Sequence, residues 1–246
     1  MSDYQKKGFL TEDFRLFHLI SREGTRPEFH YHEFYKVLLL VSGSGSYMVD
    51  GGRYAVQSGD IILVGSHTVH RPEFEPGAAY ERIILYISPE YLQQQSTPDC
   101  NLRSVFSGER GHVLRLGEER KQAVFRIAGA LERELGSDAF GREILSNAAL
   151  LRLLVELGRN REQAGTDGSS PMMPRSQRIV EILRYIDQHL AEDLDAETLA
   201  KAFYISKYHM MRLFRRETGT TVHLYITQKR LIKARELMDS GIRATD

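Results

Sequence analysis

The stretch Glu28–Lys36, EFHYHEFYK, places His30 and His32 one residue apart just before an apolar run. On an extended strand residues i and i+2 point to the same face, so the two imidazoles project together, and Lys36 and Leu38 share their parity. Glu33 has the opposite parity and points away. Paired imidazoles suit either a transition metal or a polar small molecule. The inward face of a small barrel lines a pocket sized for one such ligand. An ammonium at Lys36 repels a divalent cation and has no lone pair to offer it. Parity and charge therefore weaken the case for a metal without naming another ligand. The blandest alternative is histidines hydrogen-bonded within the fold.

A second group with chemical potential is SKYHMMRLFRRETG, Ser206 to Gly219. Ser206 suits a helix N-cap, Ile205 and Met210 have hydrophobic-staple spacing, and Gly219 suits a left-handed C-terminal cap. At about 100° per residue, Met210, Leu213 and Phe214 share one helical face, while Tyr208, Met211, Arg212 and Arg215 share the other. The first face holds the helix on its scaffold. The second suits the major groove of DNA, where arginine bonds guanine bidentately and apolar groups touch thymine methyls. Lys207, Arg212, Arg215, Arg216, Lys229, Arg230, Lys233 and Arg235 lie in one stretch with the single acid Glu217. Asp187 to Ala200, just before it, holds five acids and no lysine or arginine. Phosphates require positive charge on the docking surface only, and this asymmetry supplies it.

Two kinds of element must position these groups. From about Phe14 to Ile87, KVLLLV, GSYMVDGGRYAV, DIILVG and RIILYI are short β-rich runs broken by Gly, Ser, Asp and Pro. Such spacing predicts a sandwich or barrel, with a hairpin turn at Asp50-Gly51-Gly52. GSGS at Gly43–Ser46 reads as a turn, since no helix follows to receive a phosphate. Beyond Leu116 the period lengthens. Val124, Ile127, Leu131 and Leu135 form one helical stripe, and Ile144, Ala148, Leu151, Leu154 and Val155 a second. These helices read as an antiparallel pair joined near Gly136–Gly141, covering either the strands or a second subunit. Asn160–Gln177 has linker composition. Next come a helix with Ile179, Leu183, Ile186 and Leu190 on one stripe, then LDAETLAKAF with Asp195 as N-cap and Leu194 and Leu199 as staple. Two short helices separated by about four residues have the form of a helix-turn-helix.

Composition bounds the rest. With 41% apolar and 27% charged residues the chain is globular, and its 246 residues allow two domains. The 33 basic and 33 acidic residues balance, so no global bias toward nucleic acid or membranes masks the local one. The single cysteine, Cys100, excludes an internal disulfide. MSDYQKKGFL lacks the apolar core of a signal peptide, and VLLLV at Val37–Val41 is too short to cross a bilayer. A cytoplasmic protein is expected.

LDAETLAKAFYISKYHMMRLFRRETGTTVHLYITQKRLIKARELM resembles the first helix-turn-helix of the AraC/XylS family of transcription regulators. The match rests on Ser206, Arg212–Phe214, Glu217–Gly219, Tyr225 and the RLIKARELM helix, in order. The resemblance gives Tyr208, Met211 and Arg212 the base-facing role, with Ser206, Lys207, Arg215 and Arg216 in the same DNA-binding surface. The family pattern continues into a second helix-turn-helix, whereas this chain ends at GIRATD, so weak DNA binding is expected. The N-terminal half resembles the cupin-like sensor domain of many members, through His30–His32, Val41–Gly51, Ser58–Val64 and His70 before Pro72. The cupin pattern sets His70 as a third imidazole but puts its glutamate at Lys36, which leaves metal on His30, His32 and His70 as the weaker alternative.

The expected architecture is α+β. A cupin-like effector-sensing barrel spans 1–115, a dimerising helical pair 116–159, a linker 160–177, and an all-α DNA-binding region 178–246. The resemblance implies a homodimer that binds an operator in double-stranded DNA. It further implies a small-molecule effector, a sugar by family habit, in a pocket of His30, His32, Lys36 and His70, with no cofactor and no catalytic residue. The rivals are a metal-dependent cupin enzyme and a shortened regulator acting through heterodimers.

Overall fold

The computed structural model describes residues 10–50, 52–75, 77, 79–107, 111–163 and 177–239. It is α+β and forms two compact units, one built on the strands and the helices up to Gln163, the other on the helices from Gln177 onward.

Eight strands occur among the described residues of the first unit: β1 Phe14–Ser21, β2 Tyr35–Ser42, β3 Ser44–Val49, β4 Gly52–Gln57, β5 Ile61–Val64, β6 His70–Glu73, β7 Tyr80–Ile87 and β8 Val113–Leu114. Where one barrel was expected, the strands divide into a five-stranded sheet, ordered β1-β7-β2-β5-β8, and a three-stranded sheet, ordered β4-β3-β6. The physical reason lies at one connection. The β2–β7 register shifts between Leu40 and Ser42, and Gly43 follows at φ +103°, turning the chain off the large sheet and into β3 of the small one. The expected hairpin turn joins β3 to β4, with Asp50 at φ 46°; its Gly51 lies outside the described residues.

Parity explains the unbroken apolar runs. Val37, Leu39, Ile61, Leu63, Ile83, Leu85 and Ile87 face the helices, while Leu38, Leu40, Ile62, Val64, Ile84 and Tyr86 face the small sheet. A sheet buried on both faces needs apolar residues at both parities, each contributing about 1.5–3 kcal/mol when fully enclosed.

The helical layer comprises α1 Pro89–Gln95, a 3₁₀ turn Leu102–Phe106, α2 Glu118–Leu135 and α3 Arg142–Gln163. α2 buries Val124, Ile127 and Leu131 of the expected stripe together with Ala128, whereas Leu135, the stripe's last member, is exposed at the helix end. α3 keeps part of the expected stripe, with Leu154 buried and Leu151 and Val155 packed against the same core, but Ile144 and Ala148 leave it. Its buried face is Leu150, Leu153, Leu154 and Leu157, and Ile144, Leu145 and Ala148 point outward. α3 carries apolar residues on both sides, so periodicity alone fixed neither. It also runs four residues into the expected linker, most of which lies outside the described residues.

The second unit holds α4 Gln177–Gln188, α5 Ala196–Ala202, α6 Lys207–Thr218 and α7 Val222–Asp239. Asp195 Oδ1 accepts from the amides of Glu197 and Thr198 at 2.9 and 2.7 Å, and Ser206 Oγ accepts from the amide of His209 at 3.2 Å. Gly219 closes α6 at φ 77°. Ile179, Ile182, Ile186, Leu199, Met210, Phe214, Tyr225 and Ile226 make this unit's core.

Candidate functional site

In the first unit the candidates gather between the two sheets. His30 lies on an isolated bridge to His70 rather than on a regular strand; the two residues exchange backbone hydrogen bonds of 3.2 and 2.9 Å. The expected alternation nevertheless holds: Tyr31 and Glu33 are exposed, whereas His32, Phe34 and Lys36 are buried. The imidazole of His70 lies 4.3 Å from that of His30 and 4.7 Å from that of His32, centre to centre.

Each of these histidines is held by its Nδ1, against a carbonyl two residues away: Glu28 for His30, Phe34 for His32 and Thr68 for His70, all at 2.9 Å. A carbonyl only accepts, so each Nδ1 carries a proton, and in a neutral ring Nε2 then presents a lone pair. The Nε2 atoms of His32 and His70 are enclosed and make no hydrogen bond. Burial, reinforced by the positive charge of Lys36, holds both imidazoles well below the usual histidine range, so they are neutral. Among the described residues no group of three or more His, Cys, Asp and Glu is arranged to hold a metal ion. An adjacent lysine and no carboxylate make a poor donor set for a dication.

A cavity of about 110 Å³ adjoins this cluster, lined by His30, Lys36, Tyr47, Phe74, Tyr80 and Arg82 among others. Lys36 Nζ donates to the Tyr47 hydroxyl at 2.9 Å. Arg82 lays its guanidinium 4.3 Å from the Tyr80 ring centre and donates to Ser21 Oγ at 3.1 Å. Of the four expected pocket residues, His30 and Lys36 line the cavity, and His32 and His70 are not among its lining. Sequence reasoning missed Arg82, Tyr47, Phe74 and Tyr80. Arg82 has the same strand parity as Ile84 and Tyr86, a signal available within RIILYI.

Phe74 and Tyr80 stack at 4.3 Å with 2° between their planes. The pair also lines a larger cavity of about 490 Å³ bounded by Gly43, Gly45, Glu75 and Arg115. GSGS is not the expected turn: Ser44–Ser46 open β3, and Gly43 alone breaks the strands. A Cβ on Gly43 would lie 2.6 Å from Tyr80 Cβ, and one on Gly45 would lie 2.7 Å from Phe74 Cδ1. Both rings reach this position only because the residues behind them are glycines.

In the second unit α6 divides as its wheel requires. Met210, Leu213 and Phe214 are buried, whereas Tyr208, Met211, Arg212, Arg215 and Arg216 are exposed. Ser206 begins this helix, and Lys207 lies 3.6 Å from Glu197. The Arg212 guanidinium sits 5.7 Å from the Tyr208 ring centre, and Arg216 pairs with Glu217 at 2.7 Å. Two members of the basic stretch hold the fold instead: Lys229 reaches Asp187 at 3.3 Å, and Arg230 donates to the carbonyls of Leu190 and Glu192 at 2.9 and 2.6 Å.

Residues 17–154 match the AraC-like ligand binding domain family. The HTH-type transcriptional activator RhaS of Salmonella schwarzengrund (strain CVM19633) is 26% identical over 214 residues, covering 86% of this chain and 73% of the relative. RhaS of Enterobacter sp. (strain 638) is 25% identical over 212 residues, with the same coverage of 86% and 73%. Among solved structures, the AraC-like transcriptional activator CuxR aligns with TM-score 0.41 at 17% identity, over 85% of this chain and 71% of that one. ToxT from Vibrio cholerae aligns with TM-score 0.42 at 12% identity, over 94% and 85%.

Proposed function

The chain belongs to the AraC family of transcription regulators, whose ligand-binding domain matches residues 17–154, and from that premise we propose that its first unit binds a small effector and its second reads DNA. In this reading α5 and α6 are a helix-turn-helix, with Phe203–Ser206 as the turn. Tyr208, Met211 and Arg212 face base edges in the major groove; Ser206, Lys207, Arg215 and Arg216 lie toward the phosphates. The observation that carries the reading is the division of α6 into a fully buried apolar face and an exposed face of Tyr, Met and Arg. An exposed tyrosine and methionine beside arginines offer the apolar and hydrogen-bonding contacts that base edges accept.

The effector lodges at the cavity of His30, Lys36 and Arg82, with His32 and His70 as neutral support behind it. Binding acts through a difference in effector affinity between DNA-competent and DNA-incompetent states, with no chemical step. The proposed organisation keeps a sensor at 1–115, a helical pair from 116 that ends with α3, and a DNA-binding region at 178–246. The outward stripe of Ile144, Leu145 and Ala148, with Phe140, supports a homodimer, which suits paired half-sites. No described helix is long and apolar enough to cross a membrane, in keeping with work on cytoplasmic DNA.

The test uses duplexes selected in vitro with the native protein and fluorescence anisotropy. Arg212→Ala is expected to weaken binding to the selected sequence by ~1–3 kcal/mol while leaving random DNA nearly unaffected. An equal loss on both would make Arg212 a phosphate contact. No loss on either would take α6 out of the groove.

A further inference from the structure

We propose that the effector is a small organic anion, a carboxylate on a short apolar body, seated between Lys36 and Arg82. The inference rests on reading the first unit as the sensor, and it names the chemistry that the site selects. Lys36 comes from β2 and Arg82 from the adjacent β7, where the register sets Lys36 opposite Tyr86 and Leu40 opposite Arg82. The two cations thus start four residues apart on one sheet face, ~13 Å at ~3.3 Å per residue. Both line the same cavity of about 110 Å³, so a carboxylate held there lies within reach of each.

The remaining lining agrees. Its described residues include the phenols of Tyr47 and Tyr80, His30 and several apolar side chains, and no Asp or Glu. Lysine and arginine donate hydrogen bonds and accept none. A neutral sugar could find acceptors in the hydroxyls of Thr25, Tyr47 and Tyr80, but only an anion also matches the two cations of this lining. Size points the same way. The cavity of about 110 Å³ is smaller than the roughly 150 Å³ that accommodates benzene, so it takes a headgroup and a few carbons, not a hexose. The stacked Phe74 and Tyr80 rings form the wall shared with the larger cavity, and Gly43 and Gly45 fix their position. Phe74 therefore sets the chain length that the site accepts.

Calorimetric titration of the native protein tests this with acetate, butyrate, hexanoate and octanoate, their matched amides, and a panel of neutral hexoses. Short acids are expected to bind and their amides to fail. Lys36→Gln and Arg82→Gln should each weaken the best acid at least ten-fold, and Phe74→Ala should move the optimum to a longer acid. Should Lys36→Gln fail to fold, Arg82→Gln carries the charge test alone. Amides or hexoses binding as well as acids would overturn the anion assignment while leaving a sensor at this cavity. Acids binding equally to native protein and both charge variants would also overturn it, with the ligand placed elsewhere. If no compound of any class bound, the anion assignment and the effector reading of this cavity would fall together.

Discussion

Gly43→Ala is expected to destabilise the first unit far more than an ordinary turn substitution. Gly43 has φ +103°, and its added Cβ would meet Tyr80 Cβ at 2.6 Å and Tyr80 Cα at 3.1 Å. A side-chain-bearing residue in that backbone region costs on the order of 1–3 kcal/mol. The contact adds about 1–3 kcal/mol of overpacking, because Tyr80 Cα and Cβ cannot swing aside like the tip of a long side chain. For a domain of this size the combined loss corresponds to a drop in Tm on the order of 10 °C. Gly77→Ala is the control. Gly77 has φ +98° with nothing within 4 Å of the added Cβ, so only the backbone cost applies. Differential scanning fluorimetry of the two variants should show Gly43→Ala losing about twice as many degrees as Gly77→Ala. Equal losses would refute the contact with Tyr80 as the reason for glycine at 43. A second readout follows from Tyr80 lining the cavity, since the variant should also lose affinity for any ligand bound there.

Two further outcomes are expected. Ile144 is 74% exposed at the start of α3, so Ile144→Glu should leave the fold within about 0.5 kcal/mol yet convert a dimer to a monomer in sedimentation velocity; an unchanged mass would remove this stripe from the dimer interface. His18 reaches Glu132 and Glu81 through its two ring nitrogens at 2.8 and 2.7 Å, a pairing that needs both nitrogens protonated. Burial opposes its charge, but the hydrogen bonds and charges of Glu132 and Glu81 outweigh it and raise the histidine above its ordinary value of 6.5. A raised folded-state value means that the stabilisation is complete below pH 6.5 and fades as pH climbs through the raised value. The Tm gap between native protein and His18→Gln should therefore be widest in mild acid and narrow at alkaline pH. A gap that stays constant would show that the ion pairs contribute nothing.

How much of this was legible in the sequence depends on how far each feature is local. The caps of α5 and α6 at Asp195 and Ser206, the left-handed Gly219 and the two faces of α6 follow from spacings within one turn or two, and the structure keeps all of them. The parity of His32 and Lys36 is equally local and survives even though His30 precedes the strand. Features that need long-range pairing were hidden. Arg82 shares a cavity with Lys36 only because β7 pairs with β2 across some forty residues, and no periodicity announces which strands become neighbours. The phase of α3 was half legible for a different reason: Leu154 is buried where its stripe put it, but Leu150, Leu153 and Leu157 join it while Ile144 and Ala148 stay outside, and the wheel cannot say which apolar residues meet the sheet. Charge counting failed most instructively at Arg230. It looks like part of a phosphate-binding run, yet it caps the carbonyls of Leu190 and Glu192. A lysine or arginine late in a helical domain has two uses, neutralising a ligand and closing a helix end, and sequence gives both the same letter. The exposed face of α6 carries the DNA reading because Tyr208 and Met211 stand beside Arg212 and Arg215 on the face opposite the buried one. The count of basic residues alone would have supported it for partly the wrong reason.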